Sequence, residues 1–320
     1  MTGPAPALHA PFVRDWFTRR SYEHDQFSDL ARLARRKRDL GIAVTVVLPC
    51  REVAETIGAI ADEIHALNER TPLVDQLLAV DAGSADGSAA VAERHGVTVY
   101  QEDELVPELG PAAGKGDAMW RSLTVATGDV VMFLDADTTN FERHFVSGML
   151  GPILTEPGVR FAKATYHRPL IGPGGDVLDD AGRVTELMAK PLLRIFFPAL
   201  SGFGQPLAGE LVADRELLWS IPFVTGYAVE TAMLIDVLCA TGLEAMAQVG
   251  LGARHNRSKA LRELGAMSYA VARTIVERAG ASEAGLEDSF LRAVCTPAGT
   301  RLAEEPLMLV ERPPIAARQS

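Results

Sequence analysis

From residue 42 onward, short apolar runs alternate with amphipathic stretches in a regular order. "IAVTVVLP", "QLLAVD", "VTVYQE" and "GDVVMFLDAD" are rich in Val, Ile and Leu, which predicts four strands. Between them lie "ETIGAIADEIHALNER", a stretch running to about His95, and residues 115–126, where apolar positions recur at helical spacing. Strands alternating with covering helices predict an α/β fold, with a Rossmann-like, mostly parallel sheet and helices on both faces. The ligand crevice of such a sheet lies at the C-terminal ends of its strands.

Beyond residue 150 the pattern loosens. "VRFAKATYHRPL" predicts another strand, followed by the Gly/Pro-rich loop "IGPGGDVLDDAG" and a helix "RVTELMAKPLLRIFF" interrupted by Pro191. A helix from Tyr227 to Ala240, a strand "EAMAQVGL" and a helix from Leu261 to Arg278 complete the predicted core. Ahead of the first strand, residues 13–39 are rich in charge, and Leu30, Leu33 and Leu40 partly follow a helical stripe, which predicts an N-terminal helical arm. Its basic run Arg35 to Arg38 reads as a solvated helix face. The chain thus divides into residues 1–41, 42–150, 151–280 and a C-terminal extension, 281–320.

At 320 residues, 48% hydrophobic and 23% charged, the chain has enough apolar material for a large core. A net charge of −11 argues against a general nucleic-acid binder, because phosphate backbones are held by excess Lys and Arg. Any anionic ligand must meet a local basic cluster. Cys50, Cys239 and Cys295 form no CxxC pattern, so neither a zinc knuckle nor a disulfide framework is expected, and a reducing cytoplasm is the simplest home. No apolar run approaches the roughly 18 residues needed to span a bilayer, and the N-terminus lacks the apolar core of a signal peptide, so no membrane association is expected.

The candidate chemistry begins with Asp135 and Asp137, which end an apolar strand at the crevice edge. A carboxylate beside a core is costly unless a cation pairs with it. Spaced by one residue on extended backbone, both side chains face one way and suit Mg²⁺ or Mn²⁺ bridging to substrate phosphates; the alternative is a solvated turn. Asp81 ends the second strand, where an acid binds ribose or base, while Ser84 or Asp86 caps the next helix. Lys115, between Gly114 and Gly116 at a helix start, favours an anion, although the pattern is not a Walker loop. "ARHNRS" brings Arg254, His255 and Asn256 together as cations and a possible imidazole ligand, or as a basic surface turn. "AGRVTEL" offers Arg183, Thr185 and first-turn N–H groups to a phosphate or carboxylate, and "GYAVE" places Tyr227 and Glu230 where sugar hydroxyls are held or a dipole is complemented.

Taken in order, "VVLPCREVAETI", "DAGSADGS", "AGKGDAMWRSL", "FLDAD", "GRVTELMAKPLL", "QPLAGE", "PFVTGYAVE" and "LGARHNRS" resemble the retaining GT-A glycosyltransferases that make glucosyl- or mannosyl-3-phosphoglycerate. The similarity runs from about residue 42 to 270. It implies a GT-A fold with a nucleotide-sugar-binding first half and an acceptor-binding, catalytic second half. It also implies transfer of a hexose, anomeric configuration kept, to the 2-hydroxyl of 3-phosphoglycerate, with Mg²⁺ as cofactor and Mn²⁺ or another divalent cation as a substitute. On the matching positions, Asp137 and His255 hold the metal. Pro49, Cys50, Glu52, Asp81, Gly83, Lys115, Asp135 and Ala136 bind the donor. Gly182, Arg183 and Thr185 bind the acceptor, with Leu207, Tyr227, Glu230, Arg254 and Asn256 around the sugar. The catalytic set is Asp135, Asp137, Lys115, Leu207, Glu230 and Arg254.

Two departures bear on specificity. Where the family commonly has Asn-Glu-Glu after the first strand, this chain has "REVAE"; a carboxylate at Glu52 accepts the paired N–H donors of guanine, which uracil lacks, so the expectation is GDP-mannose ahead of GDP- or UDP-glucose. The spacing in "ARHNRS" is shorter by one residue, which makes Asn256 the alternative to His255 at the metal. The competing functions are an inverting GT-A transferase using Glu210 or Glu230 as base, a nucleotidyltransferase, whose Gly-rich basic loop is missing, and a non-catalytic nucleotide-sugar-binding module. A homodimer is expected, because the arm and "PLMLVERPPI" offer apolar surface with no evident internal partner.

Overall fold

The computed structural model describes residues 10–171, 177–180, 182–255, 264–281, 287–296, 299–307 and 309–318. In chain order its elements begin with α1 (Ala10–Arg20), β1 (Ser21–Glu23), α2 (Leu30–Leu40), β2 (Val44–Cys50), α3 (Ile57–Arg70), β3 (Gln76–Asp81), α4 (Ser88–Arg94) and β4 (Thr98–Gln101). Next come α5 (Lys115–Ser122), β5 (Val130–Phe133), α6 (His144–Thr155), β6 (Phe161–His167), β7 (Pro169–Ile171) and β8 (Val177–Asp180). A π-helical turn, Thr185–Ala189, runs directly into α7 (Lys190–Phe196), followed by β9 (Leu211–Asp214), α8 (Arg215–Ser220), β10 (Phe223–Val224), α9 (Val229–Thr241) and β11 (Met246–Ala253). The last elements are α10 (Leu264–Arg278), β12 (Ser289–Thr296), β13 (Gly299–Pro306) and β14 (Glu311–Arg312).

Eight strands form one sheet in the order β1-β11-β6-β9-β5-β2-β3-β4. Every pairing is parallel except those of β9, which runs antiparallel to both β5 and β6. Alternation along the strands fills both faces: Val47, Leu78, Val80, Val131 and Phe133 enter one core, and Val46, Leu48, Ala79, Val130 and Met132 the other. The chain steps outward from β2 in both directions, to β3 on one side and β5 on the other. That reversal opens a crevice at the strand ends, with Cys50 and Asp81 in register on one side and the residues after Phe133 on the other.

Three segments differ from the sequence-based reading. The expected helical arm holds two helices with β1 between them, and β1 adds to the sheet edge beside β11. Trp16 is buried there and donates from Nε1 to the Met246 carbonyl at 2.9 Å. Within the basic run Lys37 is buried, 2.6 Å from Asp75, while Arg35 and Arg38 are exposed. Pro191 falls where the π-helical turn Thr185–Ala189 gives way to α7, so the predicted helix is continuous through the proline but its regular pattern is broken just before it. The C-terminal apolar segment has an internal partner after all: β14 pairs with β10, Trp120 Nε1 donates to the Pro313 carbonyl at 2.8 Å, and Ile315 is buried. Among the described residues no helix is long and apolar enough to cross a membrane.

Candidate active site

Strand β5 ends at Phe133, and the next residues turn at the crevice floor. The backbone is fixed there by Thr56, whose hydroxyl donates to the Ala136 carbonyl at 2.5 Å. Asp135 is largely enclosed and Asp137 is 54% exposed in its side chain, yet one nitrogen, Arg254 Nη2, donates to both at 2.8 Å. The two carboxylates therefore converge, but through the turn after the strand and not on extended backbone as expected, since β5 stops at Phe133.

Arg254 leaves the end of β11 and is almost fully buried. Its Nε donates to Thr138 Oγ1 at 3.1 Å, its Nη1 donates to the Tyr166 hydroxyl at 3.3 Å, and its guanidinium lies 5.4 Å from the Tyr166 ring centroid. Glu210 Oε1 is 3.0 Å from Arg254 Nε, but that N–H is aimed at Thr138, and the buried Glu210 carboxylate makes no hydrogen bond. Burial pushes the Glu210 carboxyl up, with Arg254 opposing.

Lys115 opens α5 and pairs with Asp135, and it lies 2.7 Å from Glu230 in the first turn of α9. Burial disfavours the Asp135 carboxylate, but Lys115 and Arg254 outweigh it and hold this carboxyl well below the usual range. By the same balance Asp135 and Glu230 hold the Lys115 ammonium charged. Gly209 makes this contact possible, since a β-carbon there would sit 2.1 Å from Asp135 Oδ1. Leu207, half-buried, precedes Ala208, whose carbonyl accepts from Lys163 Nζ at 2.6 Å. Lys163 is fully buried in β6, and burial lowers its pKa to about 8.

At the ends of β2 and β3, the buried Asp81 accepts from the Ser84 N–H at 3.0 Å and the Ser84 hydroxyl at 2.5 Å, and lies 3.6 Å from Cys50 Sγ. Burial pushes the Cys50 thiol up. Pro49 is half-buried beside it, and Gly83 turns with a φ of +71°. Glu52 is exposed with a φ of +55°, its Oε1 accepting from the Ala85 N–H at 2.8 Å and its own N–H donating to Ser84 Oγ at 2.9 Å. The N-cap of α4 is Gly87, which neither Ser84 nor Asp86 replaces; Asp86, one residue earlier, accepts from the Ser88 N–H at 3.0 Å, and Ser84 serves Asp81 and Glu52.

Gly182 and Arg183, the expected acceptor residues, precede the π-helical turn, in which Thr185 is buried; such turns recur at functional sites. Tyr227 is 53% exposed beside Gly226, which presses against Gly114. Asn256 lies outside the described residues, so the choice between it and His255 is not made by position. His255 is exposed and its backbone is fixed, its N–H donating to Asn140 Oδ1 at 2.8 Å and its carbonyl accepting from the Thr139 N–H at 3.2 Å.

Among the described residues no three His, Cys, Asp or Glu side chains converge on a metal position. Asp137 is exposed, and the exposed His255 is tied by its backbone to Thr139 and Asn140, just after Asp137, so a carboxylate and an imidazole stand at neighbouring backbone positions and suit a divalent cation that keeps water and takes phosphate oxygens as its remaining ligands. Glu210, named as a possible base for an inverting reaction, is 1% exposed behind Arg254 and cannot meet an acceptor hydroxyl. Lys163, Thr138, Tyr166 and Gly209 were not identified from sequence; only Lys163 carries a signal there, as a charge in the middle of the apolar run "RFAKATYH".

Residues 45–168 match the glycosyl transferase family 2 model. The chain is 40% identical over 308 residues to glucosyl-3-phosphoglycerate synthase of Mycolicibacterium paratuberculosis, covering 94% of this chain and 92% of that protein. It is 34% identical over 267 residues to glucosyl-3-phosphoglycerate synthase of Petrotoga mobilis, covering 83% and 82%. The crystal structure of mannosyl-3-phosphoglycerate synthase from Rubrobacter xylanophilus superposes with a TM-score of 0.89 at 54% identity, over 99% of both chains. That of glucosyl-3-phosphoglycerate synthase from Mycobacterium tuberculosis in complex with Mn²⁺, UDP and phosphoglyceric acid gives 0.81 at 38%, over 90% of this chain and 95% of that one. With this fold and this degree of likeness along nearly its whole length, the chain belongs to the glucosyl- and mannosyl-3-phosphoglycerate synthases, glycosyltransferases of the GT-A fold.

Proposed function

We propose that this glycosyltransferase moves mannose from GDP-mannose to the 2-hydroxyl of 3-phosphoglycerate with retention of anomeric configuration, and that glucose from GDP- or UDP-glucose is a secondary donor sugar. The observation that carries the reading is the chain of ion pairs Lys115–Asp135–Arg254–Asp137 at the strand ends. It sets two cations beside two carboxylates where a nucleoside diphosphate leaves, and it is built before substrate arrives. Mannose is favoured by the higher identity to the mannosyl synthase, 54% against 40% for the glucosyl relative. Glu52 supports the guanine base, since its backbone and one carboxylate oxygen are fastened to the Ser84–Ala85 turn at the crevice mouth.

A Mg²⁺ or Mn²⁺ ion held by Asp137 and His255 would neutralise charge on the departing diphosphate. Lys115 and Arg254 add fixed positive charge, Gly182, Arg183 and Thr185 receive the acceptor, and Leu207, Tyr227 and Glu230 border the sugar. Retention is supported by the state of the two carboxylates considered as bases for an inverting reaction: Glu210 is enclosed and Glu230 is engaged by Lys115. The acceptor hydroxyl then attacks on the face the diphosphate leaves. The reaction belongs in the cytoplasm. We also propose a homodimer, now through the exposed Leu291 and Leu302 of the β12–β13 hairpin and not through the C-terminal segment; a monomeric mass by light scattering would remove it.

The test is incubation with Mg²⁺, 3-phosphoglycerate and each of GDP-mannose, GDP-glucose and UDP-glucose. Acceptor-dependent nucleotide release, greatest with GDP-mannose, is expected, with an α-linked product by NMR and activity abolished by EDTA and restored by Mg²⁺ or Mn²⁺. A product of inverted configuration would overturn retention. Binding without turnover would reduce the protein to a nucleotide-sugar-binding module.

A further inference from the structure

The C-terminal segment does more than cover apolar surface. Arg312 enters the buried first turn of α5 and grips Asp117 with two nitrogens, Nε to Oδ1 at 2.7 Å and Nη2 to Oδ2 at 2.9 Å. Asp117 is fully buried and stands two residues after Lys115. Its Oδ2 also accepts from Arg121 Nε at 3.0 Å and from the Ala113 N–H at 3.1 Å, which pins the turn leading into Lys115. The rest of the Arg121 guanidinium collects carbonyls of the preceding loop, Glu102 at 3.1 Å and Gly110 at 2.8 Å among them. Loop and helix start are thus wound about one charged centre, and Arg312 closes it.

The same segment holds the opposite wall. β14 pairs with β10, placing Arg312 against Phe223 and Glu311 against Val224, and the Thr225 N–H donates to the Val310 carbonyl at 2.8 Å. β10 leads through Gly226 into α9 and Glu230, the carboxylate that faces Lys115. The two walls meet closely, since a β-carbon on Gly116 would lie 2.0 Å from the Val224 carbonyl oxygen. Trp120 Nε1 donating to the Pro313 carbonyl and the Arg318–Glu108 ion pair extend the same bracing along α5 and its loop.

We propose that residues 310–318 form a strap that sets the Lys115–Glu230 ion pair, with Arg312 as a positioning residue acting through Asp117. A buried bidentate guanidinium–carboxylate contact fixes orientation as well as charge, and a lysine ammonium cannot reproduce its fork. Small displacements of a group that meets a leaving diphosphate are costly in rate. The inference rests on the reading of Lys115 as a donor-side group.

The experiment compares wild type, Arg312→Lys and Arg312→Met in steady-state kinetics with Mg²⁺, GDP-mannose and 3-phosphoglycerate, together with hydrogen exchange of residues 105–117. Turnover by wild type, measured first with the full donor panel, tests the functional reading; the variants are then compared with whichever donor it uses. Arg312→Met is expected to lower kcat/KM for the donor by at least about tenfold while the KM for 3-phosphoglycerate stays within about twofold. Arg312→Lys should recover part of that loss, and exchange in residues 105–117 should rise in the order wild type, Lys, Met. If Arg312→Met does not fold, the Lys variant alone decides. A folded variant with wild-type donor kinetics overturns the proposal, as does a fall in active enzyme with both KM values unchanged, because that is the mark of a purely structural contact.

Discussion

A β-carbon at Gly209 would lie 2.1 Å from Asp135 Oδ1 and 2.3 Å from Lys115 Nζ, so the smallest side chain would push apart the pair that anchors the site. Gly209→Ala is expected to cut kcat by about 100-fold, the scale of an ångström-sized misplacement, with little change in far-UV circular dichroism. Activity within a fewfold of wild type would show that the pair tolerates displacement. Asp135 and Asp137 stood out in the sequence because charge at the end of an apolar run demands a partner, Lys115 because it opens a glycine-flanked helix start, and Arg254 because it heads a polar cluster. Gly209 and Thr138 did not, since a glycine or threonine in a loop has many ordinary uses and its neighbours come from distant segments. That Arg254 joins Asp135 to Asp137 through one nitrogen is likewise invisible before folding.

Among the elements, α5 carries the most unusual electrostatics. Glu102, just after β4, is buried near Asp117 with neither oxygen hydrogen-bonded, and burial together with Asp117 raises its pKa from 4.5 to about 7. Between those values the native state holds a proton that the unfolded chain has released, so this group's contribution to stability falls as pH rises from 4.5 to 7. Glu102→Gln, neutral throughout, should therefore match wild type near pH 5 and exceed it at pH 8 by on the order of 1–3 kcal/mol, read from urea unfolding. A constant difference at both pH values would refute the assignment. The strand–helix order through β5 was legible because period-two and helical patterns are strong there. β9 was not, because "LVAD" is four residues long and its antiparallel insertion between β5 and β6 depends on a long-range pairing.

For the whole molecule, the question is what belongs to the core. Trp16 is fully buried, hydrogen-bonded to Met246 and tilted by 40° against the Phe203 ring at 4.8 Å, although it precedes β2 by nearly thirty residues. Trp16→Ala is expected to cost about 3–5 kcal/mol of stability, the range for deleting a buried tryptophan; a loss below about 1 kcal/mol would mean that the N-terminal segment is only appended. The sequence by itself determined the α/β class, the sheet built from β2 to β5 and the need for basic partners at Asp135 and Asp137, because periodicity and the cost of a buried charge act locally. Only the tertiary structure decided that residues 10–40 complete the sheet edge, that Glu210 is walled off from any acceptor, and that the C-terminal segment grips α5. Those outcomes depend on which distant surfaces meet, and a contact between residues 117 and 312 leaves no pattern in the residues on either side of it.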